Sequence, residues 1–452
     1  MKRRRARPTA GWRAAVAASL APVLGAACAD GSGSVAWTTD VDTVGGVIRV
    51  THTTGSDVAP TLRADEELRV GTVAGEGPQS FGLIRSIAVL DDGRFAGGDA
   101  QAEEVRLFDA EGRHLRTFGG AGQGPGELSG MQGVFLDHDG LLRVAERQNA
   151  RLSVFHPDPG FVTSFPLQLF SYGGRGPWDA AIDSTGRTVV VSSGQYGEGR
   201  YWNMLRFYDP AMQQLDSVPY EEYTSSIRET EDRPAQWQVP VGRGTLYLQV
   251  PFYAVPRQAV APTGELWTTA EGLTRLEVSR WTPPGDTSLV IVVERPTQPV
   301  TSSERDSAMA EVYTRLEGRV ATPPTLDPSK IPAHKPPAYG LSLDERGRLW
   351  VRTSDPGSGS TIYDIFEPDG RHAGTLELPF RVDAWIPPIS RGDAVWAVVT
   401  DDADVQYVVR ARIRSVGSVG SSPRTAPLAK RQSRLAASCG CVSRWRSGRI
   451  ML

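Results

Sequence analysis

The sequence contains few cysteines and few histidines, with three Cys and six His among 452 residues. Cys439 and Cys441 are separated by one residue near the C-terminus, and such neighbours cannot cross-link distant parts of a fold. The histidines are scattered, and we expect those in or beside predicted hairpin turns to be solvated: His114, His138, His156 and His372. The GxSxG and HExxH motifs are also missing. We therefore expect neither a disulfide-stabilised fold nor a zinc enzyme.

The N-terminal apolar run, Ala14 to Ala29, is too short for a membrane-spanning helix, which needs roughly 20 residues. It follows a cationic segment, and this order predicts a secretory signal over residues 1–29. The stretch LGAAC, which ends at Cys28, resembles the lipobox of bacterial lipoproteins, although Gly25 stands where that motif usually has Leu. We expect lipidation of Cys28 and a periplasmic, outer-membrane or cell-surface location. Ordinary cleavage at Ala27-Cys28-Ala29 is the alternative.

Acidic residues are missing from both ends of the chain. Residues 1–27 carry six basic side chains and residues 405–452 carry ten, and neither segment contains Asp or Glu. The body between Cys28 and Asp404 therefore has a net charge of about −19, from 33 basic and 52 acidic residues. This excess argues against nucleic acid and favours neutral or cationic ligands. We expect the basic tail, residues 415–452, to be disordered; a membrane- or polyanion-contacting extension and a translation out of frame are the alternatives.

Glycine landmarks repeat along the first half of the body. Gly77-Pro78 and Gly124-Pro125 lie 47 residues apart, and so do the turn glycines Gly93 and Gly140. Each repeat combines short alternating runs with Asp- and Gly-rich turns, which indicates four strands in about 45 residues. Such a repeat is typical of a β-propeller blade or a solenoid.

We predict an all-β, six-bladed β-propeller over residues 61–414, preceded by a linker and an N-terminal strand in residues 30–60. The linker includes GSGSVAWTTD, and the strand is expected at Val47 to His52. The predicted blades cover residues 84–120, 131–167, 178–220, 257–294, 338–380 and 382–414. The last blade is one strand short, and residues 66–74, in particular Leu68 to Ala74, are expected to supply that strand and close the ring.

Two insertions interrupt the repeat, at about residues 221–252 and 295–337. The second contains Met309, Val312 and Leu316 at helical spacing, which predicts one short helix from Ser302 to Gly318. Both insertions connect the last strand of one blade to the first strand of the next. We therefore expect them to lie at the same mouth of the channel, with the helix as a lid.

The chain is similar to bacterial six-bladed propellers of the NHL-repeat type. The resemblance rests on FGGAGQGPGEL, on VAERQNARLSVF with Asn149 and Arg151, and on FEPDGRHAGTL, and it covers about Glu66 to Ile413. It implies the propeller fold but no particular activity, because such propellers include binding modules, lyases and lactonases.

The candidate site residues lie in loops expected at the mouth that carries the insertions. They are Asp99, Glu146, Asn149, Arg151, Trp237, Arg352 and Asp401. Three of them, Asp99, Glu146 and Asp401, could together hold Ca²⁺ through carboxylate oxygens. The alternatives are that loops between strands are polar in any case, and that Asn149 and Arg151 tie their loop to the next blade.

The sequence favours a non-catalytic binding module, because no complete catalytic set is visible. The expected ligand is a small molecule, a glycan or a protein, bound at the mouth that carries the insertions. A calcium-dependent lactonase or lyase and an envelope assembly scaffold are the alternatives. We expect a monomer that contacts a membrane only through its lipid anchor, with no cofactor other than the calcium of the enzymatic alternative.

Overall fold

The computed structural model describes residues 37–55, 59–73, 75, 77–167, 180–196, 200–223, 235–241, 244–317, 320 and 323–416. The predicted signal peptide, the lipidation site Cys28 and the tail beyond residue 416 lie outside these residues.

Strands make up nearly all of the regular structure. The first fifteen are β1 (Thr38–Val44), β2 (Val47–Thr53), β3 (Leu62–Val70), β4 (Ile84–Val89), β5 (Phe95–Asp99), β6 (Glu104–Phe108), β7 (His114–Gly119), β8 (Met131–Leu136), β9 (Leu142–Glu146), β10 (Arg151–His156), β11 (Gly160–Pro166), β12 (Ala180–Ile182), β13 (Thr188–Tyr196), β14 (Arg200–Tyr208) and β15 (Gln214–Tyr223). The others are β16 (Gln236–Val241), β17 (Gly244–Gln249), β18 (Gln258–Val260), β19 (Leu266–Thr268), β20 (Leu276–Thr282), β21 (Asp286–Glu294), β22 (Gly340–Leu343), β23 (Leu349–Arg352), β24 (Thr361–Phe366), β25 (His372–Leu378), β26 (Ile389–Arg391), β27 (Ala394–Thr400) and β28 (Gln406–Ser415).

Antiparallel pairing groups most of the described strands into six four-stranded units. In order along the chain, they are unit 1 (β4–β7), unit 2 (β8–β11), unit 3 (β12–β15), unit 4 (β18–β21), unit 5 (β22–β25) and unit 6 (β26, β27, β28 and β3). Consecutive strands pair within each of the first five units, so these units form from local contacts. Unit 6 differs because its fourth strand comes from the N-terminal part of the chain.

The repeated Asp- and Gly-containing segments form the turns between first and second strands. In unit 2, Asp137 Oδ1 accepts hydrogen bonds from the backbone N–H groups of Asp139 (3.0 Å) and Leu141 (2.9 Å). The turn also requires the left-handed backbone of Gly140, which has a φ of 76°. Asp344 and Gly347 form the equivalent turn in unit 5. The sequence prediction of these turns is confirmed.

The strand β3 completes unit 6 by pairing antiparallel with β28. At its start β3 also pairs in parallel with β25, through Leu62 opposite Leu376, and so joins units 5 and 6. The predicted closing strand was placed at residues 66–74, but β3 covers Leu62–Val70. The prediction came from aligning residues 66–74 with the last strand of another repeat. It therefore missed the paired residues Leu62 and Ala64, which precede the bulge in β3 opposite Arg410 and Ala411.

A second N-terminal element is a hairpin of β1 and β2, in which β2 pairs in parallel with β21 of unit 4. The strand predicted at Val47 to His52 is confirmed as β2. However, the expected linker GSGSVAWTTD ends inside β1, which was not predicted. The sequence of β1, TTDVDTV, lacks the alternation of apolar and polar residues that predicts a half-buried strand. Consistent with this, every residue of β1 is exposed.

Buried apolar clusters lie between consecutive units. Phe118 of unit 1 and Phe155 of unit 2 belong to one such cluster and their rings are in contact. Corresponding clusters join units 2 and 3, units 3 and 4, units 4 and 5, and units 5 and 6. A further cluster joins unit 6 back to unit 1, through Trp396 and Phe95, whose ring centroids are 4.8 Å apart. This succession of sheets is consistent with a β-propeller.

The two insertions pack against each other instead of forming separate loops. The hairpin β16–β17 comes from the first insertion, and helix α1 (Ser302–Leu316) with a short 3-10 turn (Pro328–Lys330) comes from the second. Their shared buried side chains, which we call the insertion core, are Trp237, Val239, Val250, Val312, Leu316, Leu326 and Ile331.

The predicted helix is confirmed as α1, although Gly318 lies outside the described residues. It begins after Thr301, whose side chain accepts a hydrogen bond from the backbone N–H of Glu304, while the Glu304 side chain accepts one from the N–H of Thr301. No helix in the described part of the chain is both long enough and apolar enough to cross a membrane.

Candidate ligand-binding site

A cavity of about 250 Å³ runs between the first strands of the six units. Its wall includes Ser86 and Ile87 of β4, Val134 of β8, Ala180 of β12, Ala259 of β18, Leu341 of β22 and Ile389 of β26. Because the wall is mainly apolar, the channel itself offers few polar contacts to a ligand.

A second cavity, of about 310 Å³, lies where the chain enters β18, β22 and β26, and we call it the mouth pocket. Its described lining residues are Pro256, Arg257, Gln258, Tyr339, Gly340, Leu341, Ser342, Arg352, Tyr363, Asp383, Ala384, Trp385, Ile386, Pro387 and Pro388. The mouth pocket forms one end of the channel, because six of the described residues line both cavities: Gln258, Leu341, Ser342, Ile386, Pro387 and Pro388.

Arg352 is the last residue of β23 and one of the predicted site residues. Its position is fixed by pairing with Gly340 and Tyr363 on the two neighbouring strands, and it is only 3% exposed. Nη1 donates hydrogen bonds to the backbone oxygens of Val382 (3.0 Å) and Asp383 (3.4 Å). Nε and Nη2 are buried and have no hydrogen-bond partner within the described protein.

Arg257 precedes β18 and contributes a second guanidinium to the mouth pocket. Its backbone is held by Thr269, which accepts from the Arg257 N–H through Oγ1 (2.9 Å) and donates its own N–H to the Arg257 carbonyl (2.9 Å). The side chain is half-buried, and its Nε also has no partner within the described protein. Burial lowers the pKa of both guanidiniums, and the nearby charge of Arg352 lowers the pKa of Arg257 further.

The nearby carboxylates are bonded to other groups. Asp383 accepts from the Trp385 backbone N–H (2.8 Å) and from Gln406 Nε2 (3.2 Å). Asp355 accepts from the Tyr339 hydroxyl (3.3 Å) and the Gly357 N–H (2.8 Å). Among the residues that the structure describes, no carboxylate lies within ion-pair distance of either arginine. The pocket therefore combines two cationic groups with carboxylates whose hydrogen bonds are made to groups other than the arginines.

Two tyrosines and one tryptophan also line the mouth pocket. Burial raises the pKa of Tyr363 to about 12, and burial together with the charge of Asp355 raises the pKa of Tyr339. Both hydroxyls are thus neutral at physiological pH. Trp385 is 52% exposed although it is a large aromatic residue, and it stands beside the prolines of the rim. An exposed indole at the edge of a pocket is available for stacking on a ligand.

Asp99, another predicted site residue, is buried and bonded within its own unit. Its carboxylate accepts hydrogen bonds from the backbone N–H groups of Gly82, Leu83, Gln101 and Ala102. Arg106 also lies 3.3 Å from Oδ2. A carboxylate has about four lone-pair positions, so this set leaves Asp99 little capacity for a ligand.

Glu146, Asn149 and Arg151 form a similar buried network in unit 2. Glu146 is fully buried and accepts from the Ser129 N–H and from the side chains of Asn149, Arg151 and Ser153. Arg151 donates to the backbone oxygens of Gln123, Gly124 and Glu127, and Asn149 donates to that of Gly122. The network fixes the GGAGQGPGEL segment to β10, which corresponds to the structural alternative stated for Asn149 and Arg151.

Trp237 and Asp401 also lie away from the mouth pocket. Trp237 is 4% exposed, belongs to the insertion core and donates its Nε1–H to the Asp327 carbonyl (3.0 Å), so the structure places it among core side chains. The Asp401 carboxylate accepts from the backbone of Ala403 and Val405 and from the Tyr407 hydroxyl.

The three carboxylates predicted as calcium ligands do not converge in the described structure. There, the one group of three potential ligands within reach of a common ion is Asp137, His138 and Asp139, in the turn between β8 and β9. Asp137 is already bonded to Arg143 and to the turn backbone. The expectation that His372 is solvated is also wrong, since its side chain is 8% exposed beneath Trp37.

Sequence reasoning missed Arg257, Tyr339, Asp383 and Trp385. All four precede the first strand of a unit, in the connections that were expected at the insertion-bearing mouth, so their position along the repeat was an available signal. The expectation of a neutral or cationic ligand came from the net charge of the body, whereas the mouth pocket is locally cationic.

Comparisons with known proteins add a likeness of fold. No known protein family matches the chain, and no curated protein matches it. Solved structures of β-propeller-like proteins resemble it. They include a predicted exported protein from Bacteroides fragilis, with 12% identity, a TM-score of 0.44 and coverage of 81% of this chain and 100% of that one.

A member of the DUF4221 family from Bacteroides vulgatus has 10% identity and a TM-score of 0.46, with 79% of this chain and 99% of that chain covered. Virginiamycin B lyase from Staphylococcus aureus has 10% identity and a TM-score of 0.35, with 73% and 94% covered. At these values the similarities carry no argument about activity.

Proposed function

We propose that the chain is an exported six-bladed β-propeller of the NHL-repeat type that binds a small molecule in the mouth pocket without chemical turnover. Export, with a lipid anchor on Cys28 in the periplasm or at the outer-membrane or cell surface, rests on the N-terminal sequence alone. The binding role rests on the geometry of the mouth pocket.

Three observations support the six-bladed arrangement. The described strands form six four-stranded units, and buried clusters lie between each unit and the next, including one between unit 6 and unit 1. The first strand of every unit also contributes to the wall of one central cavity. A ring of sheets around a common channel accounts for all three observations.

The form of the mouth pocket carries the proposal for binding. Its volume of about 310 Å³ is at the lower end of the range for small-molecule sites. The rim includes an exposed indole, Trp385, and the wall includes Arg352, whose Nε and Nη2 are buried and unpartnered within the described protein. The wall of the mouth pocket thus mixes apolar side chains with polar groups, and a concave site with a few fixed polar groups is typical of a ligand site.

The described lining residues favour binding over catalysis. They include one aliphatic hydroxyl, that of Ser342, and no histidine or cysteine, and the one carboxylate among them, Asp383, accepts hydrogen bonds from Trp385 and Gln406. We do not extend the proposal to a calcium-dependent lactonase or lyase. Asp99 and Glu146, two of the three residues predicted to hold its calcium, each accept four hydrogen bonds from the chain itself.

The proposal is tested with protein labelled with 5-fluorotryptophan and a set of aromatic fragments that includes carboxylic acids, amines and neutral amides. Trp385→Phe assigns the ¹⁹F resonance of Trp385 among the eleven tryptophans. We expect at least one fragment to shift that resonance while the signal of the buried Trp267 stays in place. If no fragment shifts the Trp385 signal, the mouth pocket is not a small-molecule site.

A further inference from the structure

We propose that the mouth pocket recognises an oxyanion, the carboxylate or phosphate group of a small molecule, through the guanidiniums of Arg352 and Arg257. This inference rests on the proposed binding function of the pocket and names the chemistry of its ligand. The attached part of the ligand packs against Trp385 and the prolines of the rim.

The free atoms of Arg352 lie on one edge of its guanidinium. Nε–H and one N–H of Nη2 point in parallel from that edge, so they can donate to two oxygens of a single planar or tetrahedral anion. The same molecule contains this pairing elsewhere. Nε and Nη2 of Arg69 donate to Oε1 (2.8 Å) and Oε2 (2.7 Å) of Glu66. In Arg352 the edge is buried and has no carboxylate opposite it, which a ligand oxyanion would supply.

The electrostatic environment favours an anion over a neutral acceptor. Arg257 and Arg352 repel each other, and burial removes part of the hydration of both. Burial and the charge of Arg352 therefore lower the pKa of Arg257, and burial lowers that of Arg352. A neutral carbonyl would satisfy hydrogen bonds but leave this repulsion in place. A negative charge between the two groups reduces it and compensates for their desolvation.

Among the described residues neither arginine has an ion-paired carboxylate, although the charges of Asp383 and Asp355 partly oppose the effect of burial on the pKa of Arg352. Asp383 lines the pocket and Asp355 accepts a hydrogen bond from the lining residue Tyr339, and each carboxylate is held by hydrogen bonds to groups other than the arginines. The Arg352 Nη1 contacts fix the guanidinium plane through two backbone oxygens and leave its charge unpaired. A rigid cation with a free edge in a cavity is preorganised for an anionic ligand.

The test compares three probes of similar shape: benzoate, phenyl phosphate and neutral benzamide. Binding is measured by isothermal titration calorimetry at low salt and by the ¹⁹F signal of Trp385. We expect benzoate or phenyl phosphate to bind, benzamide to bind at least about tenfold more weakly, and the anion affinity to fall as ionic strength rises. The relative affinity of the two anions distinguishes a carboxylate site from a phosphate site.

The variants are Arg352→Gln and Arg257→Gln, with Arg346→Gln as the matched control. Arg346 is exposed in the turn before β23, at the opposite end of that strand from Arg352, so its replacement removes the same charge outside the pocket. We expect each pocket variant to weaken anion binding at least about tenfold and the control to leave it unchanged. Arg257 is half-buried, so Arg257→Gln still tests the inference if Arg352→Gln does not fold.

The results separate this inference from the proposed function. If benzamide binds as tightly as the anions, shifts the Trp385 signal and is unaffected by Arg257→Gln, the pocket binds small molecules but the oxyanion inference is wrong. If neither these probes nor the wider fragment set shifts the Trp385 signal, the proposed function itself fails.

Discussion

At the scale of single residues, the contact between the N-terminal hairpin and unit 5 depends on two buried histidines. Trp37 stacks on His372, with ring centroids 3.6 Å apart, and His52 contacts the Gly370 carbonyl through Nε2 at 2.8 Å. Arg295 and Asp364 form an ion pair beside them. Burial lowers the pKa of His52, and burial with the charges of His52 and Arg295 lowers the pKa of His372 to about 4, against the opposing effect of Asp364.

We predict that His372 makes the fold less stable in mild acid. The unfolded chain binds a proton with a pKa near 6.5, whereas the folded chain resists protonation down to about 4. The contribution of the neutral imidazole to stability is therefore fully present above pH 6.5 and is lost as the pH falls from there towards about 4. Between pH 7 and pH 5 the loss from this group is about 2 kcal/mol. Urea denaturation at both pH values measures it.

The variant His372→Phe keeps an aromatic ring on Trp37 but cannot be protonated. Between pH 7 and pH 5, the free energy of unfolding of this variant should fall by about 2 kcal/mol less than that of the wild type. The control is His138→Gln, in a partly exposed turn, which should show the same pH dependence as the wild type. An equal pH dependence in wild type and His372→Phe would show that the imidazole is not the cause. The sequence did not reveal this burial, because Trp37 and His372 are far apart along the chain.

At the scale of elements, the insertions form a small subdomain with its own apolar core. Helix α1 could be predicted from local spacing, because Val312 and Leu316 lie on one face and the segment begins with a capping box. Its partner could not be predicted, because the contact with β16–β17 joins two insertions that are separated by unit 4. For the same reason Trp237 resembled an exposed ligand contact, although it is a core residue.

We predict that Leu316→Ala weakens the hairpin β16–β17 as well as the helix. Leu316 is fully buried, and a Leu→Ala change at such a site costs about 3 kcal/mol. Hydrogen exchange of the amides in residues 236–249 and 302–316 should therefore accelerate up to about a hundredfold, while units 1 and 2 keep their protection. Glu311→Ala, on the exposed side of the same helix, is the control and should change little. Faster exchange in the helix alone would show that the hairpin is stable without it.

At the scale of the whole molecule, unit 6 is completed by a strand that comes from the start of the body. This completion was predictable, because the sixth repeat has three strands where the others have four. The register was not, since it depends on the bulge between Arg410 and Ala411 and on the bridge from Leu62 to Leu376. The mouth pocket was likewise predictable only in part. The repeat indicates which loops meet at one end of the channel, but only the folded chain shows which side chains there remain without partners.

Three chains that begin at Trp37, Pro60 and Gly71 measure the contribution of β3 to stability. The first shortening removes the hairpin β1–β2, and the second removes β3 as well. β3 buries Ala64 and Val70, partly buries Leu62 and Leu68, and covers the backbone of β28 along its length. Its loss should cost on the order of 5 kcal/mol and expose β28 as an edge strand. We expect the chain from Gly71 to unfold at a clearly lower urea concentration than the chain from Pro60 and to aggregate, and adding a peptide of residues 60–72 should partly restore the midpoint. Equal midpoints for these two chains would mean that β3 adds nothing to closure.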